Sequence, residues 1–161
     1  MALPVVVVQV GFPFQPGIRV LRASGYDIVV GTQNGLVHVF SREGMLRKTF
    51  HVGDGPVSEI LVTTEGLKAA HCAGRLTLFD AEGITGETEL REYFVALAEC
   101  EFGVLAWKFN SVWLIELSGK VQLAAQASCP IRGVWGHATG FHVLAGGELA
   151  SFQRHMIRDR G

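Results

Sequence analysis

Cysteine and proline are scarce in this chain of 161 residues, and its net charge is close to zero. Its three cysteines lie far apart and are odd in number, which argues against a disulfide framework and against a zinc site built on paired cysteines. The formal charge is −1, so no positive field would draw the chain to nucleic acid or to an acidic membrane surface. We therefore expect no nucleic-acid partner, no membrane partner, and a reducing cytoplasmic or nuclear location rather than secretion.

Long hydrophobic runs are absent as well. A membrane-spanning helix needs about 18 consecutive apolar residues, and the most apolar late segment, residues 95–107, is interrupted by Glu99 and Glu101. The apolar residues 5–10 lack the positive residues and the cleavage site of a signal peptide, so we interpret them as a buried strand. Since 48% of the residues are hydrophobic, the chain can still bury a core, and we predict one soluble domain over residues 1–161.

Sequence motifs of enzymes are also missing. Gly119-Lys120 lacks the flanking residues of a phosphate-binding loop, and neither GxSxG nor HExxH occurs. The six histidines show no spacing typical of metal ligands on a helix or a strand. We therefore predict no catalytic residue, no metal and no cofactor. We interpret the histidines as structural, except that His51, on a predicted loop, is also a candidate for contact with a partner.

Glycine is abundant instead, with 20 residues, and it marks a repeat. Four segments each consist of an apolar strand, a tight turn and a second strand, with turns at Gly35, Gly74, Ser111 and Gly147. These turns are 39, 37 and 36 residues apart. Their Asn-Gly, Ala-Gly, Asn-Ser and Gly-Gly pairs tolerate the positive φ of two-residue hairpins. Because the strand before each turn is almost wholly apolar, we interpret it as the inner strand, buried on both faces.

Two further strands fit between successive hairpins, and four strands in each period indicate a β-propeller. We predict an all-β fold of four four-stranded blades, at about residues 17–53, 54–94, 95–129 and 130–155. The last blade would take its fourth strand from residues 4–11, and the ring would close where residues 5–10 pair with residues 148–152. The alternatives are a half-ring that forms an eight-bladed ring with a second chain, and a ring whose missing blades are supplied by a partner protein. In each of these rings, the three tryptophans are expected to pack inside or between blades: Trp107, Trp113 and Trp135.

Residues 51–80 carry a family pattern. His51 precedes Pro56-Val57 at the start of an innermost strand, and Phe79-Asp80 ends the unit as an aromatic residue followed by aspartate. This pattern resembles a blade of the WD-repeat family, and residues 25–50 match it less closely. The resemblance implies a divergent WD-like propeller that acts as a non-catalytic scaffold or adaptor for other proteins.

One face of the predicted ring is built from the connectors between blades together with the hairpin turns. Its residues are polar and mixed in charge, so we predict a rigid platform for a protein partner. The alternative is a lectin or small-ligand propeller with pockets between blades, and a homodimer that completes a larger ring is a further possible assembly. The predicted partner-binding residues are Phe14, Gln33, Asn34, His51, Asp54, Tyr93, Asn110 and Arg132.

Overall fold

The chain forms successive antiparallel β-sheets. The computed structural model describes residues 17–24, 27–63, 66–90 and 96–153, and these ranges hold fifteen strands in four sheets. The first sheet consists of β1 (Ile18–Ala23), β2 (Asp27–Thr32), β3 (Leu36–Ser41) and β4 (Leu46–His51). The second consists of β5 (Val57–Val62), β6 (Lys68–Cys72), β7 (Arg75–Phe79) and β8 (Ile84–Glu89). The third consists of β9 (Ala96–Cys100), β10 (Gly103–Lys108), β11 (Ser111–Glu116) and β12 (Val121–Gln126).

The fourth sheet has three described strands, β13 (Ile131–His137), β14 (Gly140–Ala145) and β15 (Glu148–Gln153). In every sheet the strands pair in chain order, as expected for propeller blades, so the all-β propeller prediction is confirmed. The predicted closing strand, residues 5–10, lies outside the described residues. Within the part of the chain that the structure describes, no helix is long and apolar enough to cross a membrane.

The first strands of successive sheets lie at the centre of the arrangement. β1 packs against β5, β5 against β9, and β9 against β13. The apolar strand before each repeated turn is second in its sheet and is thus an inner strand, as predicted, and the strand that starts at Val57 holds the innermost place in its sheet. Full burial is confirmed for β6, all of whose residues are buried. The second strand of an internal sheet has neighbouring strands on both edges and other blades on both faces, whereas a first strand has one edge without a strand partner.

The third repeated turn is shifted by one residue from its predicted position. Lys108 pairs with Ser111, so the turn consists of Phe109 and Asn110 rather than Asn110 and Ser111. Phe109 adopts the left-handed region, with φ 52°, to make this turn. The prediction was wrong because it assigned the positive φ to the residues that favour it most, whereas the register of β10 against β11 selects Phe109.

Three apolar clusters hold neighbouring sheets together. One joins the first and second sheets around Val29 and Phe79, one joins the second and third around Leu78, and one joins the third and fourth around Phe141. Trp107 and Trp113 pack against these clusters, as predicted. Trp135 does not, because its side chain is 52% exposed on β13. In the described residues, no such cluster joins the fourth sheet to the first.

Candidate functional site

The turns between the second and third strands, called the middle turns below, lie at the same end of the sheets as the connectors between sheets. Backbone hydrogen bonds tie the two sets together at successive blades. Val52 N donates to Gly35 O at 2.8 Å and Leu90 N donates to Gly74 O at 2.8 Å. The carbonyl of Asn110 accepts a bond from a connector amide at 2.8 Å in the same way. We call this surface, the middle turns with the connectors, the connector face.

The connector between β4 and β5 lies very close to the middle turn of the first sheet. A Cβ placed on Gly35 would lie 1.8 Å from Gly53 O, and Gly35 has φ 80°. Both observations require glycine at this position. On its other side the connector contacts Cys72, whose Sγ donates to Gly55 O at 3.2 Å. The connector is therefore fixed against two blades at once, which gives the connector face a rigid frame.

Burial raises the pKa of the Cys72 thiol, and the nearby Asp54 adds to this effect, while the charge of Arg75 acts against it. The reactive thiolate is therefore scarce at neutral pH, and the side chain is also inaccessible. We expect Cys72 to react with iodoacetamide at pH 7.5 more slowly than the partly exposed Cys129, as followed by peptide mass spectrometry. Equal labelling rates for Cys72 and Cys129 in the folded protein would contradict this placement of the connector.

The predicted platform residues that the structure describes fall into separate groups. Gln33 and Asn34 are exposed on the first middle turn, where Thr32 Oγ1 donates to Asn34 Oδ1 at 2.5 Å. His51 and Asp54 face each other across the connector, with Nε2 and Oδ1 3.6 Å apart, and both side chains are largely exposed. Arg132 is exposed at the start of β13, and Asn110 lies on the third middle turn. Phe14 and Tyr93 lie outside the described residues.

The sequence analysis missed Phe109, the large apolar residue of the third middle turn. Its side chain is 72% exposed, and Lys108 Nζ lies 5.4 Å from its ring centroid. The ring therefore lies in solvent with a cation over it. One signal was present in the sequence: an aromatic residue stands immediately before the Asn-Ser pair, where the other repeats have small or polar residues.

A cavity of about 330 Å³ lies beside this turn, between the third and fourth sheets. Most of its lining is apolar, including Ala127 and Ile131, and its polar residues are Gln126, Ser128 and Glu148. Two lining residues are bonded to the third middle turn: Ile131 N donates to Phe109 O at 2.6 Å, and Ala127 N donates to Asn110 O at 2.8 Å. The exposed aromatic ring and the cavity are thus held by one frame.

Titratable side chains meet elsewhere in the fold. The rings of His137 and His142 lie 4.5 Å apart across the β13–β14 hairpin, a contact that sequence spacing did not predict. At the end opposite the connector face, a cavity of about 830 Å³ is lined by several carboxylates and by Lys68, which is paired with Asp27. Among the described residues, no group of three or more histidine, cysteine, aspartate or glutamate side chains is placed to hold a metal ion.

Neither a family model nor a curated protein matches the sequence. Solved structures match the fold. The computationally designed Ika4 protein gives a TM-score of 0.68 at 13% identity, over 87% of this chain and 92% of that chain. The β-propeller domain of Myceliophteria thermophila Cps50 (Swd1) gives 0.66 at 11% identity, over 84% of this chain and 53% of that chain. The computationally designed Ika8 protein gives 0.62 at 14% identity, over 87% of this chain and 46% of that chain.

This chain thus spans about half the length of the Swd1 and Ika8 chains. At these identities the likeness concerns the fold alone, and it agrees with the strand order and the packing of first strands described above. Antiparallel sheets that follow one another along the chain, each paired in sequence order and packed face to face, make this protein a β-propeller.

Proposed function

We propose that this protein is an interaction scaffold whose connector face binds a segment of a partner protein. The observation that carries the proposal is Phe109, exposed on a turn that backbone hydrogen bonds fix beside the 330 Å³ cavity. Aromatic side chains are enriched at protein interfaces, and a turn whose backbone is already fixed loses little backbone entropy on binding. The resemblance of residues 51–80 to a WD-repeat blade supports the same class of function.

The chemistry around Phe109 specifies what the partner segment should contain. The cavity has the volume of a small ligand site, near the lower end of the usual range of about 300–1,000 Å³, and its apolar lining favours an apolar side chain. Lys108 contacts the Phe109 ring, and the exposed Arg132 follows the cavity residue Ile131. The two cations favour acidic residues next to the apolar anchor. We therefore infer a partner segment with an apolar residue flanked by aspartate or glutamate.

A displayed peptide library panned on the purified protein tests this proposal. Phe109→Ala is expected to weaken the enriched peptides by about 30-fold, the loss of about 2 kcal/mol typical of an interface hot spot. The matched control is Met45→Ala, because Met45 is 71% exposed but lies on the β3–β4 turn at the opposite end of the sheets. Affinities are measured by fluorescence anisotropy.

Three results would contradict the proposal. The peptides could bind Phe109→Ala as tightly as the wild type, they could lose affinity equally with Met45→Ala, or they could lack an acidic and apolar pattern.

A further inference from the structure

The first strands of the sheets share a register that identifies equivalent positions in different blades. β1, β5 and β13 each begin with an irregularity in pairing, between Ile18 and Val20, between Val57 and Glu59, and between Ile131 and Gly133. Ile18, Val57 and Ile131 are therefore equivalent, and so are the residues three positions further on, which are Leu21, Ile60 and Val134.

These equivalent positions face the preceding blade. Val57 and Ile60 lie in the cluster between the first and second sheets, where they are 0% and 2% exposed. Ile131 and Val134 lie in the cluster between the third and fourth sheets and are also buried. In the first sheet, Ile18 and Leu21 are 50% and 53% exposed. The first blade thus presents an interface position that nothing in the described residues covers. We call this surface, Ile18 with Leu21, the leading face.

The fourth sheet shows the converse. Leu149 is the second residue after the middle turn of its sheet, and it pairs with Leu144. The equivalent residues in the second and third sheets are Leu76, which pairs with His71, and Val112, which pairs with Trp107. Leu76 and Val112 face the following blade and are fully buried, whereas Leu149 is 64% exposed.

Trp135 lies on the same side of the fourth sheet as Leu149. Trp135 pairs with His142, and Leu149 pairs with Leu144, two residues further along β14, so both side chains are on one face. Its ring covers Gly133, where an added Cβ would lie 2.7 Å from the ring. We call this surface, Trp135 with Leu149, the trailing face.

We propose that the leading and trailing faces bind a second copy of this chain, the trailing face of each copy against the leading face of the other. Both faces continue the interface that joins the blades within the chain, because they consist of the same register positions. β13 and β1 show no packing comparable to that of β9 against β13 in the described residues. A two-fold axis then produces two identical junctions and an eight-bladed ring without open ends.

The length relations agree with this assembly. The chain covers 46% of the Ika8 chain at a TM-score of 0.62 and 92% of the Ika4 chain at 0.68, so its blades match part of a longer propeller as well as a chain of its own length. The inference goes beyond the proposed function of the connector face and does not depend on it, since the junctions lie on blade faces rather than on the connectors and turns.

Light scattering coupled to size-exclusion chromatography tests the assembly in the full chain. The wild type is expected at twice the 17.4 kDa mass of one chain. Leu21→Glu and Leu149→Lys each place a charge in both junctions, and each is expected to elute at the mass of one chain. Leu123→Glu is the matched control, because Leu123 is 49% exposed on the outer strand of an internal blade, and it is expected to keep the double mass.

Mixing the two monomeric variants, Leu21→Glu and Leu149→Lys, distinguishes loss of assembly from loss of folding. A mixed pair has one junction with wild-type residues on both sides, while the other joins the face carrying Leu149→Lys to the face carrying Leu21→Glu. The mixture is expected to return to the double mass, which unfolded variants would not do. A wild type at 17.4 kDa would overturn the proposal, and so would a double mass that both variants retain. The first result would assign the cover of these faces to the chain's own terminal residues or to another protein.

Discussion

Asp27→Ala is expected to lower the free energy of unfolding by about 3–5 kcal/mol, the usual cost of removing one partner from a buried ion pair. Lys68 Nζ lies 3.0 Å from Asp27 Oδ2, and the Lys68 side chain is only 3% exposed. The substitution leaves the ammonium group with the carbonyl of Gly66 as its described partner. Because Asp27 lies on β2 and Lys68 on β6, the loss falls on the junction between the first two blades. Urea denaturation followed by circular dichroism measures it.

Arg22→Ala is the control for this substitution. Arg22 also joins the first two blades, with its guanidinium nitrogen 2.6 Å from Glu59 Oε1, but its side chain is 48% exposed. Solvent screens this pair, so the expected loss is about 0–1 kcal/mol. The double variant Asp27→Leu with Lys68→Met is expected to recover most of the stability, since it leaves no unpaired charge. Equal losses for Asp27→Ala and Arg22→Ala would show that the buried pair does not hold the junction.

Gly35→Ala is expected to disrupt the connector face more than any other small substitution on it. The left-handed backbone at φ 80° costs a residue with a Cβ about 1–2 kcal/mol. The added carbon would lie 1.8 Å from Gly53 O and would force the connector to move. We expect this overpacking to cost a further amount of about 1–3 kcal/mol. We expect both a lower melting temperature and faster labelling of Cys72, which the displaced connector covers.

Gly66→Ala separates the two causes. Gly66 has φ 95°, and a Cβ there would meet nothing within 4 Å. This variant is expected to lose only the backbone contribution of about 1–2 kcal/mol, with no change in Cys72 labelling. If Gly66→Ala and Gly35→Ala lost the same stability and left the thiol equally protected, close packing of the connector on the middle turn would be wrong.

The repeat was predictable because it depends on local chemistry. Glycine and asparagine mark tight hairpins, and apolar runs mark buried strands, so the spacing of turns such as Gly35 and Gly74 was enough to predict the propeller. The place of each strand in its sheet was harder to predict. Burial alone does not distinguish a first strand from a second. The WD-repeat resemblance put an innermost strand at Val57, and the packing of β1, β5, β9 and β13 extends that order to every sheet.

The candidate site was less predictable, since it depends on register. A shift of one residue in the third middle turn makes Phe109 a turn residue, and no local pattern selects that register over its neighbour. The cavity beside it forms between strands of different sheets, so its lining residues are not neighbours in the sequence. Trp135 shows the same limit, because an aromatic residue on a strand predicts burial, whereas this residue is 52% exposed on the fourth sheet.

Acrylamide quenching of Trp135 tests most directly whether the open ends of the blade series meet between chains. Trp107→Phe with Trp113→Phe leaves Trp135 as the only tryptophan. Within one chain its side chain is 52% exposed, so the eight-bladed assembly predicts that Trp135 is shielded from acrylamide in this protein and becomes accessible when Leu21→Glu is added. Strong quenching of Trp135 both with and without Leu21→Glu would contradict the assembly.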